Sequence, residues 1–150
     1  MTYEERLGAP VVWWLGALGV ALLLAAGIHS GGDGARAVVP YVVLPAVAVA
    51  WLAQASRGRV AVVDGVLHVP GARIPVDALG GVTPLDRDAT RQVRGPLAEP
   101  LAFVTTRPWL PASVRLQVED PDDDTPYWLV GTRRPQELAA AVAAARDVSG

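Results

Sequence analysis

The sequence predicts a helical membrane hairpin followed by a small β-rich domain that one helix closes. Three observations predict it. From Leu7 to Ala55 the only charged side chains are Asp33 and Arg36. From Arg59 onward, short runs rich in valine alternate with Gly, Pro and Asp turns. After Pro135 the spacing of Leu138 and Val142 is that of a helix.

Composition narrows the functional classes. The chain has 150 residues, 51% of them hydrophobic and 19% charged, against roughly 25% charged in an average soluble domain. The mean hydropathy is +0.30. Disorder, which needs low hydrophobicity and high net charge, is excluded. A formal net charge of −2 gives no case for nucleic-acid binding. With no cysteine there are no disulfides, thiolate nucleophiles or thiolate metal ligands. All 13 basic residues are arginine, a mark of nucleotide composition rather than of site chemistry.

Ala9 to Ile28 is a run of 20 residues without a charge. At 1.5 Å per residue it reaches roughly 30 Å, the thickness of a bilayer core. Ala37 to Ala55 is a second run, of 19 residues. The short polar loop His29–Arg36 makes the two antiparallel neighbours. A soluble protein would need a large core around two helices that are apolar on every side, and the rest of the chain is too small and too polar for that. A cleaved signal peptide is the other reading of the first run, with Ala25 and Gly27 suiting cleavage. The flank Met-Thr-Tyr-Glu-Glu-Arg lacks the positive start such a peptide requires.

Arg6 precedes the first span, Arg57 and Arg59 follow the second, and only Arg36 lies between. Both termini are therefore expected in the cytoplasm, in a multi-pass protein of the inner (plasma) membrane. Trp13, Trp14 and Trp51 fall near the inner ends of the spans and Tyr41 near the outer end, the depths aromatic rings prefer. Ala17, Ala21 and Ala25 form one small-residue ridge, Ala46 and Ala50 another. Pro45 deprives the Tyr41 carbonyl of its usual donor, so a kink is expected there. The organisation read from this is an N-terminal segment and hairpin over residues 1–58, with spans at 9–28 and 37–55, then a domain over 59–150.

Within that domain, Val60–Val63 and Val66–Val69 flank Asp64-Gly65, a pair suited to a tight primed turn. Arg73–Val76 reads as a short edge strand because of Pro75. Gly80–Leu85 reads as a bend and a brief extended piece. Asp86 to Ala112 is the least regular region, and Leu101–Thr105 within it suits either a strand or a helical turn. Ser113–Val118 alternates cleanly. After an Asp/Pro-rich turn, Tyr127–Gly131 completes a second hairpin. Pro135 to Arg146 is the closing helix, started at Thr132 or Arg134, with Leu138 and Val142 expected to pack on Trp128 and the first hairpin. Several strands and one last helix resemble a pleckstrin-homology-like bent sheet or barrel, an analogy of fold that does not fix function.

Tyr3-Glu-Glu-Arg-Leu7, the Trp13-Trp14 pair, Arg107-Pro-Trp109, and Thr125–Val130 with Arg133 and Pro135 resemble the actinobacterial membrane proteins grouped as Domain of Unknown Function 3093. The likeness covers nearly the whole chain. It implies two transmembrane helices and a small cytoplasmic domain, and it transfers no catalytic residue.

Signals for chemistry are sparse. Neither His29 nor His68 has a carboxylate or serine at a catalytic spacing, and no phosphate loop or nucleophile elbow is present. Asp120, Asp122 and Asp124 have the alternation of a calcium loop, but Thr125 and Gly131 stand where glycine and glutamate are needed, so a solvated turn is expected. No cofactor is expected. Arg87, Arg91 and Arg94 would share one face if helical, and with Arg57 and Arg59 could meet an anionic leaflet. Arg107 and Trp109, in a Pro-rich loop, are the residue types of an interaction hot spot, or else Trp109 folds back to cap the core. The expectation is a non-enzymatic membrane protein presenting its domain to a protein partner or to the anionic membrane surface. An accessory subunit acting through its transmembrane helices is the alternative, and a membrane-bound enzyme the third.

Overall fold

The computed structural model describes residues 3–29 and 33–149; Ser30, Gly31 and Gly32 of the expected inter-span loop lie outside them. The chain divides into two compact units, one of residues 8–57 and one of residues 1–7 with 58–150.

The first unit is a helical hairpin, α1 (Val11–His29) and α2 (Ala35–Ser56). Both helices are long and apolar enough to cross a membrane, and only 11% of each apolar window is buried. Leu15 is 65% exposed and Leu23 74%, while Ala25 is fully buried and Ala21 nearly so. The first alanine ridge is thus the seam on which α2 packs, since small side chains let the backbones approach. The second ridge is not. Ala46 and Ala50 are exposed, and α2 turns Ala37 and Leu52 inward, with Leu44 and Ala48 half-buried between them. Pro40 as well as Pro45 lies inside α2. At the far end His29 and Tyr41 meet edge-to-face with centroids 5.9 Å apart.

The second unit contains two four-stranded sheets and two helices. β1 (Tyr3–Arg6), β2 (Arg59–Val63), β3 (Val66–Val69) and β4 (Ala72–Pro75) form one antiparallel sheet in that order. The β2–β3 turn is the primed type expected, with positive φ at both Asp64 (49°) and Gly65 (71°). β1 corrects the sequence-based boundary. Residues 3–6 are not a flank of the spans but an edge strand, paired from Tyr3↔Val62 to Arg6↔Arg59. Its side chains alternate, Tyr3 and Glu5 buried, Glu4 and Arg6 exposed.

After a 3₁₀ turn at Val76–Ala78, β5 (Leu79–Leu85), β6 (Phe103–Thr105), β7 (Ala112–Val118) and β8 (Tyr127–Thr132) make the second sheet, in the order β5-β7-β8-β6. β5 is a full strand with a bulge between Leu79 and Val82, longer than the brief piece expected. β6 pairs in parallel with β8, and Phe103 and Trp128 hold their rings 4.6 Å apart. Every residue of β8 is buried, because both faces of this central strand are covered. On one face α3 (Arg87–Arg94), a helix in the region expected to be least regular, capped by Asp86 accepting from the Ala89 amide at 2.8 Å, packs on β5 and β7. Ser113 of β7 meets Thr90 of α3 at 2.8 Å.

The last helix, α4 (Pro135–Ser149), starts as expected. Arg134 gives its carbonyl to the Leu138 amide, and Pro135 occupies the first turn, where no donor is needed. Leu138 and Val142 are fully buried as α4 packs on β5, β7, β2 and the 3₁₀ turn. Arg146 donates to the Gly80 carbonyl, which the bulge in β5 leaves available.

Candidate functional site

β1 is short and sits at an edge, with one neighbouring strand, so its four backbone pairings need support from elsewhere. The support is polar and buried. Glu5, 5% exposed, sends its carboxylate toward the end of β8. One oxygen accepts from the Tyr3 hydroxyl at 2.8 Å and makes a very short hydrogen bond with the Thr132 hydroxyl. The other accepts from the Arg133 backbone amide at 3.0 Å. Thr132 in turn accepts from the Arg134 amide at 3.0 Å. A carboxylate of one sheet therefore ties together the exit of β8 and the start of α4. The charge is stabilised by three donors, the condition under which a buried carboxylate is tolerated.

Three further contacts secure the same strand. Arg133 donates to the Arg6 carbonyl at 3.2 Å, and the Arg134 guanidinium lies 5.4 Å from the Tyr3 ring centroid. Leu7, 1% exposed, gives its amide to the Gly58 carbonyl at 2.9 Å. The Leu7 carbonyl accepts from the Trp109 indole, also at 2.9 Å. Trp109 is 7% exposed, so of the two readings the sequence left open, the structure takes the capping one. As a hot spot on an open loop it is corrected, because the ring is spent inside the fold. Arg107 is half-buried, its carbonyl accepting from the Leu110 amide.

Burial pushes the Tyr3 phenol from 10 up to about 12; the Thr132 hydrogen bond pulls it back, and the Glu5 carboxylate adds to the rise. The sign follows directly. Up to about pH 10 the phenol is neutral folded or unfolded, and it leaves stability flat. Between pH 10 and 12 the unfolded chain ionises first, so the folded state loses ground across that window. Denaturation curves of the full chain are expected to show this alkaline limb, and Tyr3→Phe is expected to abolish it.

The other sequence candidates fall elsewhere. Arg87, Arg91 and Arg94 are all exposed on α3 and share one face of it, as their spacing requires. The aspartates at 120–124 serve their own turn. Asp120 accepts from the Asp122 amide, and Asp123 from the Thr125 amide at 2.9 Å. Hydrogen bonds from Thr125 hold the Asp123 carboxyl below its ordinary range. Among the described residues no group of three His, Asp or Glu is placed to hold a metal ion. His68 is half-buried on β3, opposite Ala61 and Arg73.

Three of the segments that carry the sequence resemblance thus meet in space, Tyr3 to Leu7, Trp109, and Arg133 with its neighbours, while the Trp13-Trp14 pair lies on α1 in the helical unit. The family model described as "Protein of unknown function (DUF3093)" matches residues 2–142, which takes in both helices and nearly all of the β-rich unit. The chain belongs to the DUF3093 family. No curated protein and no solved structure gives a match. In this DUF3093 chain the sequence alone carries little sign of the β1 clamp. The one available signal was the alternation Tyr3, Glu5, Leu7, which marks a strand face only once the polar Glu5 has an inward partner.

Proposed function

We propose that this DUF3093 protein is a two-span integral membrane protein whose β-rich unit is a cytoplasmic binding module, acting by contact and not by catalysis. The observation that carries the reading is the contrast between the two units. The helical unit leaves its leucines and valines exposed on nearly every side, a surface that lipid satisfies and water does not. The other unit holds its own core of Leu67, Leu79, Leu116, Leu129 and Leu138 and needs no such cover. A binding role is supported by the clamp, whose donors and acceptors are spent on one another. Two four-stranded sheets and a last helix support a pleckstrin-homology-like description, from which the parallel β6 departs. Arg6, Arg57 and Arg59 against Arg36 support cytoplasmic termini.

A second reading, an accessory subunit acting through its helices, is favoured by one observation. An open apolar groove of about 650 Å³ runs between α1 and α2, lined by Trp13, Gly16, Ala17, Ala48 and Trp51 among others. The Ala21–Ala25 part of the ridge is already used within the hairpin.

The absence of cysteine makes the test clean. Membranes carrying the full chain are washed with alkaline carbonate, then single variants Asp33→Cys and Asp123→Cys are exposed to an impermeant maleimide on intact cells. Retention in the pellet is expected, with labelling at position 33 and none at 123 until the cells are opened. Release of the chain by carbonate overturns the anchor; labelling at 123 alone overturns the sidedness.

A further inference from the structure

Outside the two membrane-length helices, the described residues include four exposed large apolar side chains, and three of them fall in one stretch. Leu97 is 62% exposed, Leu101 69% and Val104 50%; the fourth is Val148 near the C-terminus. This stretch follows α3 without a break and is fastened to it, the Leu97 amide donating to the Gln92 carbonyl at 2.9 Å. Successive turns hold it, Ala98 to Gly95 and Ala102 to Glu99. The leucines are thus carried on ordered, hydrogen-bonded backbone.

Just before this stretch in the chain, on α3, stand Arg87, Arg91 and Arg94, exposed and in no ion pair among the described residues. Ser113 meets α3 through Thr90, so Arg115, two residues along β7, points to the same side of the sheet. Its guanidinium lies 4.3 Å from the Tyr127 ring centroid, and its buried Nε has no acceptor. The acids of the region are Asp86, which spends its carboxylate on the helix cap, Asp88 and Glu99.

We propose that α3 and the turns after it form a second membrane contact, in which Leu97 and Leu101 enter the headgroup boundary of an anionic bilayer and the arginines meet lipid phosphates. Exposed leucines beside unpaired arginines are the chemistry of an interfacial contact: apolar insertion supplies depth, and basic side chains supply selectivity for anionic lipid. Water alone explains the arginines and leaves the leucines unexplained. A protein groove would have to supply both an apolar floor for the leucines and acids for three arginines, which an anionic bilayer offers in one surface. The proposal rests on the reading of the chain as membrane-anchored, and its test separates the two.

The full chain is reconstituted in vesicles of phosphatidylcholine alone or with phosphatidylglycerol. Leu101→Cys carries an environment-sensitive fluorophore, Asp123→Cys serves as the control, and headgroup-nitroxide lipid is the quencher. Vesicles that lose the chain to carbonate refute the anchor and not the contact. In retained chains, quenching at position 101 is expected to exceed that at 123 and to grow with phosphatidylglycerol. Arg87→Gln, Arg91→Gln and Arg94→Gln are each expected to lower the docked-to-free ratio about fivefold. Leu97→Ser, an exposed site that folding does not use, is expected to reduce quenching as well. Equal quenching at 101 and 123, or quenching at 101 indifferent to both lipid charge and the arginines, overturns the proposal.

Discussion

Replacing Trp109 with alanine is expected to destabilise the β-rich unit by about 3–5 kcal/mol, the range for truncating a buried aromatic side chain. Trp109 is 7% exposed and its neighbour Leu110 3%, so the truncation opens a void that Leu110 and the loop can fill only in part. It also removes the indole donor from the Leu7 carbonyl. Trp109→Phe keeps most of the ring and loses that donor, so it is expected to cost about 1–2 kcal/mol. The measurement is denaturant unfolding of the purified full chain followed by far-ultraviolet circular dichroism, which does not depend on the tryptophan removed. Unchanged stability in Trp109→Ala would mean that the ring carries no structural weight, and the hot-spot reading would return in its place.

What was legible in the sequence was what local chemistry decides. Asp64-Gly65 makes a primed turn whatever lies around it, because both residues accept positive φ, and the hairpin follows. Pro135 after Arg134 starts α4 for an equally local reason. The seam of the hairpin was legible only by half. In a segment apolar on all sides there is no polar face to say which side turns inward. Ala21 and Ala25 could be identified by size, but Leu44, Ala48 and Leu52 look no different from their neighbours.

α3 and β1 are faint in the sequence for different reasons. α3 has a good cap in Asp86, yet six of its eight residues are polar and its buried face is Thr90 with half-buried Ala89 and Val93, too weak a stripe to register. β1 is a strand by virtue of its partners. Four residues, two of them glutamate, have poor intrinsic strand preference. Its acceptance in the sheet depends on Thr132, 127 residues away, and on the Arg133 amide. Trp109 likewise had to be placed against Leu7, 102 residues earlier, before its role could be decided. Tyr3–Leu7, Trp109 and Arg133, three of the segments on which the resemblance to DUF3093 rests, all contribute to holding one edge strand.

Glu5 is the test of that account. Glu5→Ala is expected to cost about 3 kcal/mol, because it takes the carboxylate acceptor from the buried Tyr3 and Thr132 hydroxyls, which keep only their long 3.4 Å contact with each other, and from the part-buried Arg133 amide. The loss is bounded, since at some point β1 detaches and water reaches the orphaned donors. Glu5→Gln keeps one acceptor oxygen and substitutes a donor for the other, so the Arg133 amide or the two hydroxyls must lose their partner; about half the cost is expected. The strand is at an edge, so its release need not unfold the core. Hydrogen exchange on the full chain should therefore show fast amides at Leu7 and across β1 in Glu5→Ala, while the amides of α4, anchored by the fully buried Leu138 and Val142, stay protected. Protection lost uniformly would mean that β1 is part of the cooperative core. Protection kept throughout would mean that backbone pairing with β2 suffices and that the carboxylate does not hold the strand.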